Sequence, residues 1–168
     1  MLGVDPPMLR IGKLTDYGIV LLAHFAKRAP GVTTTARELA AATELPFPAV
    51  GKVLKALGQA GILHSQRGAK GGYALARPAA AIDVAEIIQA LEGPIALMEC
   101  SAGPGHCGQE ASCPVRDPWQ RIHGTLLETL SRVSLESLVR APVGPLAQIV
   151  PAPSPPAHAP GAPRGEHV

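Results

Sequence analysis

Aromatic residues are scarce in this chain: two Tyr, two Phe and one Trp among 168 residues. An interior built on large rings is therefore excluded, and the core has to be aliphatic, drawn from Leu, Ile, Val and Ala, which suits closely packed helices. Long apolar runs are missing as well. None approaches the roughly 20 residues of a membrane span, so no membrane partner is expected, and the opening Met-Leu-Gly-Val-Asp-Pro-Pro is not a signal peptide. The expectation is a cytoplasmic protein, where thiols stay reduced and disulfides are rare. Cysteine is also sparse, yet all three fall between Cys100 and Cys113, in a loop rich in glycine and small residues. Their confinement points to metal ligation or redox chemistry rather than to a disulfide staple.

Acid is scarce in the first half. Residues 1–80 hold ten Lys/Arg, every lysine among them, against four Asp/Glu, a balance of +6; residues 81–168 hold five Arg against nine Asp/Glu, a balance of −4. A basic amino-terminal half suits a polyanion such as DNA, because neutralised phosphates release counterions. Catalytic signatures are missing: there is no C-x-x-C pair and no nucleophile–base constellation, so an enzyme is not expected.

The pattern predicts a mainly α chain. Residues 1–7 read as a disordered extension. Thr15 is placed to cap a helix over 16–29, in which Tyr17, Val20, Leu21, His24 and Phe25 form one buried stripe, and Pro30-Gly31 ends it. Thr35-Ala-Arg-Glu38 is a capping box that opens a short second helix carrying Leu39 and Ala40 inward. Thr43-Glu-Leu45 makes a turn, and Pro46 or Pro48 suits the first turn of a third helix. There Val50, Val53, Leu54 and Leu57 form the inner stripe, Ala49, Lys52, Lys55 and Ala56 fall on or near the outer face, and Gly61 is a helix stop. A strand over 62–66, a basic glycine-rich turn over 67–72 and a returning strand over 73–77 complete a β-hairpin. Two short helices, a longer one and a basic hairpin make a winged helix-turn-helix over 8–80, which places its third helix in the major groove and its wing against backbone or minor groove. Double-stranded DNA is the expected partner, contacted by Ala49, Lys52 and Lys55 from the helix and by Arg67, Lys70, Gly71 and Gly72 from the wing. Lys52 and Lys55 suit phosphate or base contacts, whereas Gly71 and Gly72 supply permissive backbone. The third helix offers few long base-reading side chains, so DNA shape is expected to carry part of the specificity.

Asp83 is placed to cap a linking helix over 84–92, within a segment 81–98, with Val84, Ile87, Ile88 and Leu91 inward; Gly93-Pro94 ends it. The cysteine loop spans 99–117. Asp117-Pro118 then signals a long helix, within 118–140, whose Trp119, Ile122, Leu126, Leu130 and Val133 recur by three and four. So late in the chain this stripe has little left to pack on, and pairing with its copy in a homodimer is expected. Ser134 restarts a short helix through Val139. Residues 141–168 carry eight prolines and no aromatic residue, a composition expected to be disordered.

The cysteines are spaced C-x6-C-x5-C. Structural zinc sites use closer pairs and ferredoxin clusters use shorter spacings ending in a fourth cysteine, so spacing alone leaves an iron–sulfur cluster, zinc and redox thiols open. With its neighbours, however, the loop resembles a known family. Leu14-Thr-Asp-Tyr-Gly18, Leu45-Pro-Phe-Pro-Ala-Val-Gly-Lys-Val-Leu-Lys55, Arg67-Gly-Ala-Lys-Gly-Gly-Tyr73, Val84-Ala-Glu-Ile-Ile88, Gly93-Pro-Ile-Ala96, the three cysteines and Cys113-Pro-Val-Arg-Asp-Pro-Trp119 follow the order seen in the winged-helix iron–sulfur regulators that include IscR, NsrR and RirA. The resemblance spans about residues 8–139 and is closest to the subgroup regulating SUF-system iron–sulfur assembly.

That resemblance implies a homodimer on a palindromic operator, tuning or repressing SUF genes, with an iron–sulfur cluster, 2Fe–2S or 4Fe–4S, on Cys100, Cys107 and Cys113. The sequence departs from the IscR pattern at Arg116, where that protein has a histidine ligand. Resemblance to NsrR makes Asp16, reaching from the other subunit, a candidate fourth ligand, and His106 beside Cys107 is another. Sensing of nitric oxide, iron or redox state, or zinc in the loop, is the alternative within the same architecture.

Overall fold

The computed structural model describes residues 11–68, 71–103, 105–109 and 111–140; the expected extension at 1–7, the tail at 141–168 and Lys70 lie outside them. Helix α1 (Lys13–Ala26) begins and ends three residues earlier than the pattern predicts. Thr15 is not its cap. The backbone of Gly12 takes that position, and the Thr15 hydroxyl, fully buried, instead donates to Glu92 Oε1 at 2.7 Å. The side chain is thus committed to a distant helix rather than to its own first turn.

Helix α2 (Ala36–Thr43) opens on the expected box. The Glu38 N–H donates to Thr35 Oγ1 at 3.2 Å, and the Thr35 N–H and hydroxyl donate to Glu38 Oε2 at 2.7 and 2.8 Å. The backbone bond first, and then the hydroxyl bond, hold the Glu38 carboxyl below its ordinary range. Glu44, in the left-handed region at φ 57°, turns the chain into α3 (Phe47–Gln59). Pro46 caps α3 and Pro48 occupies its first turn, where a missing N–H costs nothing. Val50, Val53, Leu54 and Leu57 are all fully buried, as the periodicity predicts.

Strands β1 (Leu63–Gln66) and β2 (Gly72–Leu75) pair antiparallel, with Leu63 opposite Leu75 and Gln66 opposite Gly72. The hairpin is slightly shorter than predicted. It is fastened to the segment before α2 by Thr34 and Tyr73, which exchange two backbone hydrogen bonds of 2.9 Å. Gly72 is required there: a Cβ would lie 2.8 Å from the Thr34 backbone. At Gly71 a Cβ would lie 2.6 Å from the Gln66 carbonyl oxygen.

Helix α4 (Val84–Glu92) starts where predicted, with Asp83 Oδ1 accepting from the Glu86 N–H at 2.8 Å, and stops at Gly93 in a positive-φ conformation. It packs on α1 and α3, and the approach to α1 is close. A Cβ on Gly18 would sit 2.3 Å from Leu91 Cδ1. Helix α5 (Arg116–Ser131) begins before the expected cap, so Asp117 and Pro118 lie in its first turn, where an acid complements the helix dipole. Helix α6 (Leu135–Arg140) follows Ser134, whose Oγ accepts from the Ser137 N–H at 3.1 Å. The α5–α6 junction is tied back to the start of α4 by Val84 N–H to Val133 O at 2.9 Å and Leu135 N–H to Ile82 O at 2.8 Å. One aliphatic core runs from Leu21 and Leu22 through Leu39, Leu54 and Ile62 to Ile82, Ile87, Leu91 and Leu135. The architecture is a mainly helical winged helix with a two-stranded wing.

The late apolar stripe divides. Leu126 and Leu130 pack against Ala85, Ile88 and Ile95, and Val133 is buried. Trp119 and Ile122 stay 39% and 50% exposed, with Val115 at 49% one turn before Trp119. The expectation that the whole stripe faces outward is corrected for its second half, because α4 presents an apolar face of its own to cover it.

Candidate functional site

Two features concentrate the candidate residues: the exposed face of α3 with the wing, and the thiol loop. The buried stripe of α3 fixes which side chains face outward. Lys52 and Lys55 are exposed, Ala49 is half-buried and Ala56 packs partly on the core. Among the described residues neither lysine makes an ion pair. Helix α3 carries no acidic residue, so the charges it presents to the outside are of one sign. Arg67 is exposed at the tip of the wing, whereas Gly71 and Gly72 are half-buried and closed against backbone. The helix and the wing thus display Lys52, Lys55 and Arg67 outward, a surface that suits phosphates.

Periodicity misses Phe47. Its spacing to Val50 and Leu54 places it with the inner stripe, yet it is 54% exposed. It stands at the first position of α3, between two prolines. A large apolar residue flanked by prolines is the signal that would have found it. The Thr15–Glu92 bond is equally invisible to a local pattern, since its partners are 77 positions apart.

Among its described residues the cysteine loop holds little regular structure. Cys100 lies in a 3-10 turn over Glu99–Ser101, and bends and turns carry the chain to α5. All three cysteines are half-buried free thiols. Gln120 on α5 donates to the Cys100 carbonyl oxygen at 2.9 Å, the Arg116 N–H to that of Cys113 at 3.4 Å, and His106 Nδ1 lies 3.3 Å from that of Gly103. Asp16 is exposed on the first turn of α1. Among the described residues no three His, Cys, Asp or Glu side chains converge on one point. The donor set nonetheless suits an iron–sulfur cluster in its chemistry: three uncommitted thiols, on a segment without the long helix or strand that would hold them apart.

Comparison with known proteins gives the wider assignment. The family model Rrf2, described as iron-dependent transcriptional regulator, matches residues 11–141. The chain belongs to the Rrf2 family. A protein of Neisseria meningitidis named as an HTH-type transcriptional regulator is 31% identical over 130 residues, covering 76% of this chain and 87% of that one. The solved structure of CymR, the global cysteine regulator of Bacillus subtilis, is 30% identical with a TM-score of 0.62, covering 79% of this chain and 97% of that one. IscR of T. potens, 24% identical with a TM-score of 0.57 over 77% of this chain and 86% of that one, shares the fold. This Rrf2 chain is accordingly a DNA-binding transcriptional regulator and not an enzyme. Among its described residues no helix is long and apolar enough to cross a membrane.

Proposed function

We propose that this Rrf2-family regulator binds a palindromic operator as a homodimer, and that Cys100, Cys107 and Cys113 hold an iron–sulfur cluster through which SUF-system assembly genes are tuned. The observation that carries this reading is the placement of three free, half-buried thiols on one irregular segment directly ahead of α5. Asp16 of the other subunit, or His106, would complete the ligand set. A bound cluster supplies charge and three fixed tethers that respond to iron, oxidants or nitric oxide.

The chain's own residues would convey that state. Gln120 ties the Cys100 backbone to α5, and α5 packs on α4 through Leu126 and Leu130. Glu92, at the end of α4, holds Thr15 in the reading domain. A change in the loop therefore reaches the setting of α3, and a dimer that reads two half-sites at fixed separation responds to small rotations. Lys52, Lys55, Arg67 and Lys70 supply the phosphate contacts.

Protein purified without oxygen is expected to be coloured, to contain iron and acid-labile sulfide in similar amounts, and to shift DNA from upstream of SUF genes; Cys107→Ser is expected to lose colour and sulfide. Zinc without sulfide would sink the cluster reading. A second reading, in which the thiols respond to oxidants directly, is favoured by their lack of convergence. It is distinguished by full DNA response to peroxide in protein free of iron and zinc.

A further inference from the structure

The exposed face of α3 carries two features that no contact among the described residues explains. The first is glycine. Gly51 and Gly58 lie within the helix, where glycine is less favourable than alanine, yet among the described residues a Cβ at either would meet nothing within 4 Å. Packing among the described residues therefore does not require their absence of a side chain. What a bare backbone permits is close approach by something outside. The second is Phe47, with a large ring left 54% exposed at the helix start. Phe47, Gly51 and Lys55 succeed one another at i, i+4 spacing along one edge of that face, and Lys52 lies beside them. An apolar ring, a gap one turn on, and two cations with no acid on the same helix describe a surface shaped for a polyanion with an apolar spot in it.

We infer that Phe47 and Gly51 form a thymine-reading step: the Phe47 ring packs on the C5-methyl group of a thymine in the major groove, and the bare backbone at Gly51 lets α3 lie deep enough for that contact. The inference rests on α3 being the DNA-reading helix, as proposed above. Thymine is the one DNA base whose major-groove edge carries a methyl group, and the amino-terminal residues of a recognition helix are those that reach base edges. Lys52 and Lys55 hold the phosphates on either side and position the helix without reading sequence. Phe47 is then the specificity-determining residue of a helix that otherwise has few base-reading side chains.

The test uses the full-length protein, purified anaerobically, to select duplexes from a random-sequence pool. The selected duplex is then titrated with each thymine replaced in turn by deoxyuridine, which removes only the methyl group. One thymine is expected to recur at the same place in both half-sites, and its replacement to weaken binding about four-fold, the value of one buried methyl-sized group. Phe47→Ala is expected to weaken binding to the selected duplex roughly ten-fold or more, as an aromatic contact is worth more than one methyl, and to abolish the response to deoxyuridine. Gly51→Ala is expected to raise thermal stability while lowering affinity for the selected duplex, a combination that a purely structural role would not give. The inference is overturned if no thymine recurs, if Phe47→Ala keeps the wild-type response to deoxyuridine or loses affinity equally on random duplexes, or if Gly51→Ala binds as wild type. Selection of no duplex at all would remove the reading role of α3 itself, and this inference with it.

Discussion

At the scale of single residues, Lys52 and Lys55 illustrate how a buried stripe decides an exposed one: four fully buried aliphatic residues turn the two lysines outward. Each is proposed to hold a phosphate. Lys52→Ala or Lys55→Ala is expected to weaken binding on all duplexes alike and to reduce the slope of log K against log salt by about one, measured by fluorescence anisotropy across a salt series. His24 is a different case. Its Nε2 is buried without a partner among the described residues, and desolvation, followed by the charges of Arg28 and Lys27, lowers its pKa from 6.5. Below pH 6.5 the unfolded chain takes up this proton before the folded one does. The contribution to stability is thus fully present above that pH and lost as the solution is acidified toward the folded value. Urea midpoints at about pH 7.5 and about pH 5.5 are expected to fall less for His24→Gln than for wild type. The lysines were legible in the sequence because amphipathic spacing is local. Phe47 and Thr15 were not, since the first sits exposed at the helix start between two prolines and the second is claimed by a residue far along the chain.

At the scale of elements, the caps at Thr35 and Asp83 were legible, whereas those expected at Thr15 and Asp117 are displaced and the contacts between helices were not legible. Thr35 with Glu38, and Asp83 with the Glu86 N–H, act within one turn, so three or four letters specify them. The crossing of α1 and α4 depends instead on Gly18 accepting Leu91 and on Thr15 meeting Glu92. Gly18→Ala is expected to cost about 1–3 kcal/mol, as overpacking does, and to lower the thermal midpoint by several degrees. Thr15→Val keeps the shape and removes the hydrogen bond; a loss of about 1 kcal/mol is expected, since exposed Glu92 regains water. If the bond conveys the loop's state, Thr15→Val will also narrow the difference in DNA affinity between cluster-loaded and cluster-free protein. The divided stripe of α5 has the same origin: its period was readable, but which half α4 would cover was not.

At the scale of the whole molecule, the family, the winged helix and the basic bias of the first half were all open to a sequence reading, whereas the gathering of the thiols was not. Their spacing confines them to one loop but does not bring them to one point, and among the described residues no three His, Cys, Asp or Glu side chains converge. The exposed half of α5, through Trp119 and Ile122 with Val115 just ahead of the helix, is the surface on which the proposed homodimer would pair. Ile122→Glu is expected to convert a dimer to a monomer in sedimentation velocity and to weaken operator binding steeply, because each half-site is then held alone; unchanged sedimentation would place the dimer elsewhere.

The core that runs without a break from Leu21 to Leu135 has a consequence for exchange between relatives. Ile82, Ile87 and Leu91 help to fill the interior of the reading head, and Leu135 enters it from beyond the thiol loop. A chimera spliced near residue 80 would join two halves of one interior rather than two modules. The two halves of such a chain are therefore not interchangeable parts: they fold as a single packed body, and a graft that ignores Ile82, Ile87, Leu91 and Leu135 should fail at folding before its function is ever tested.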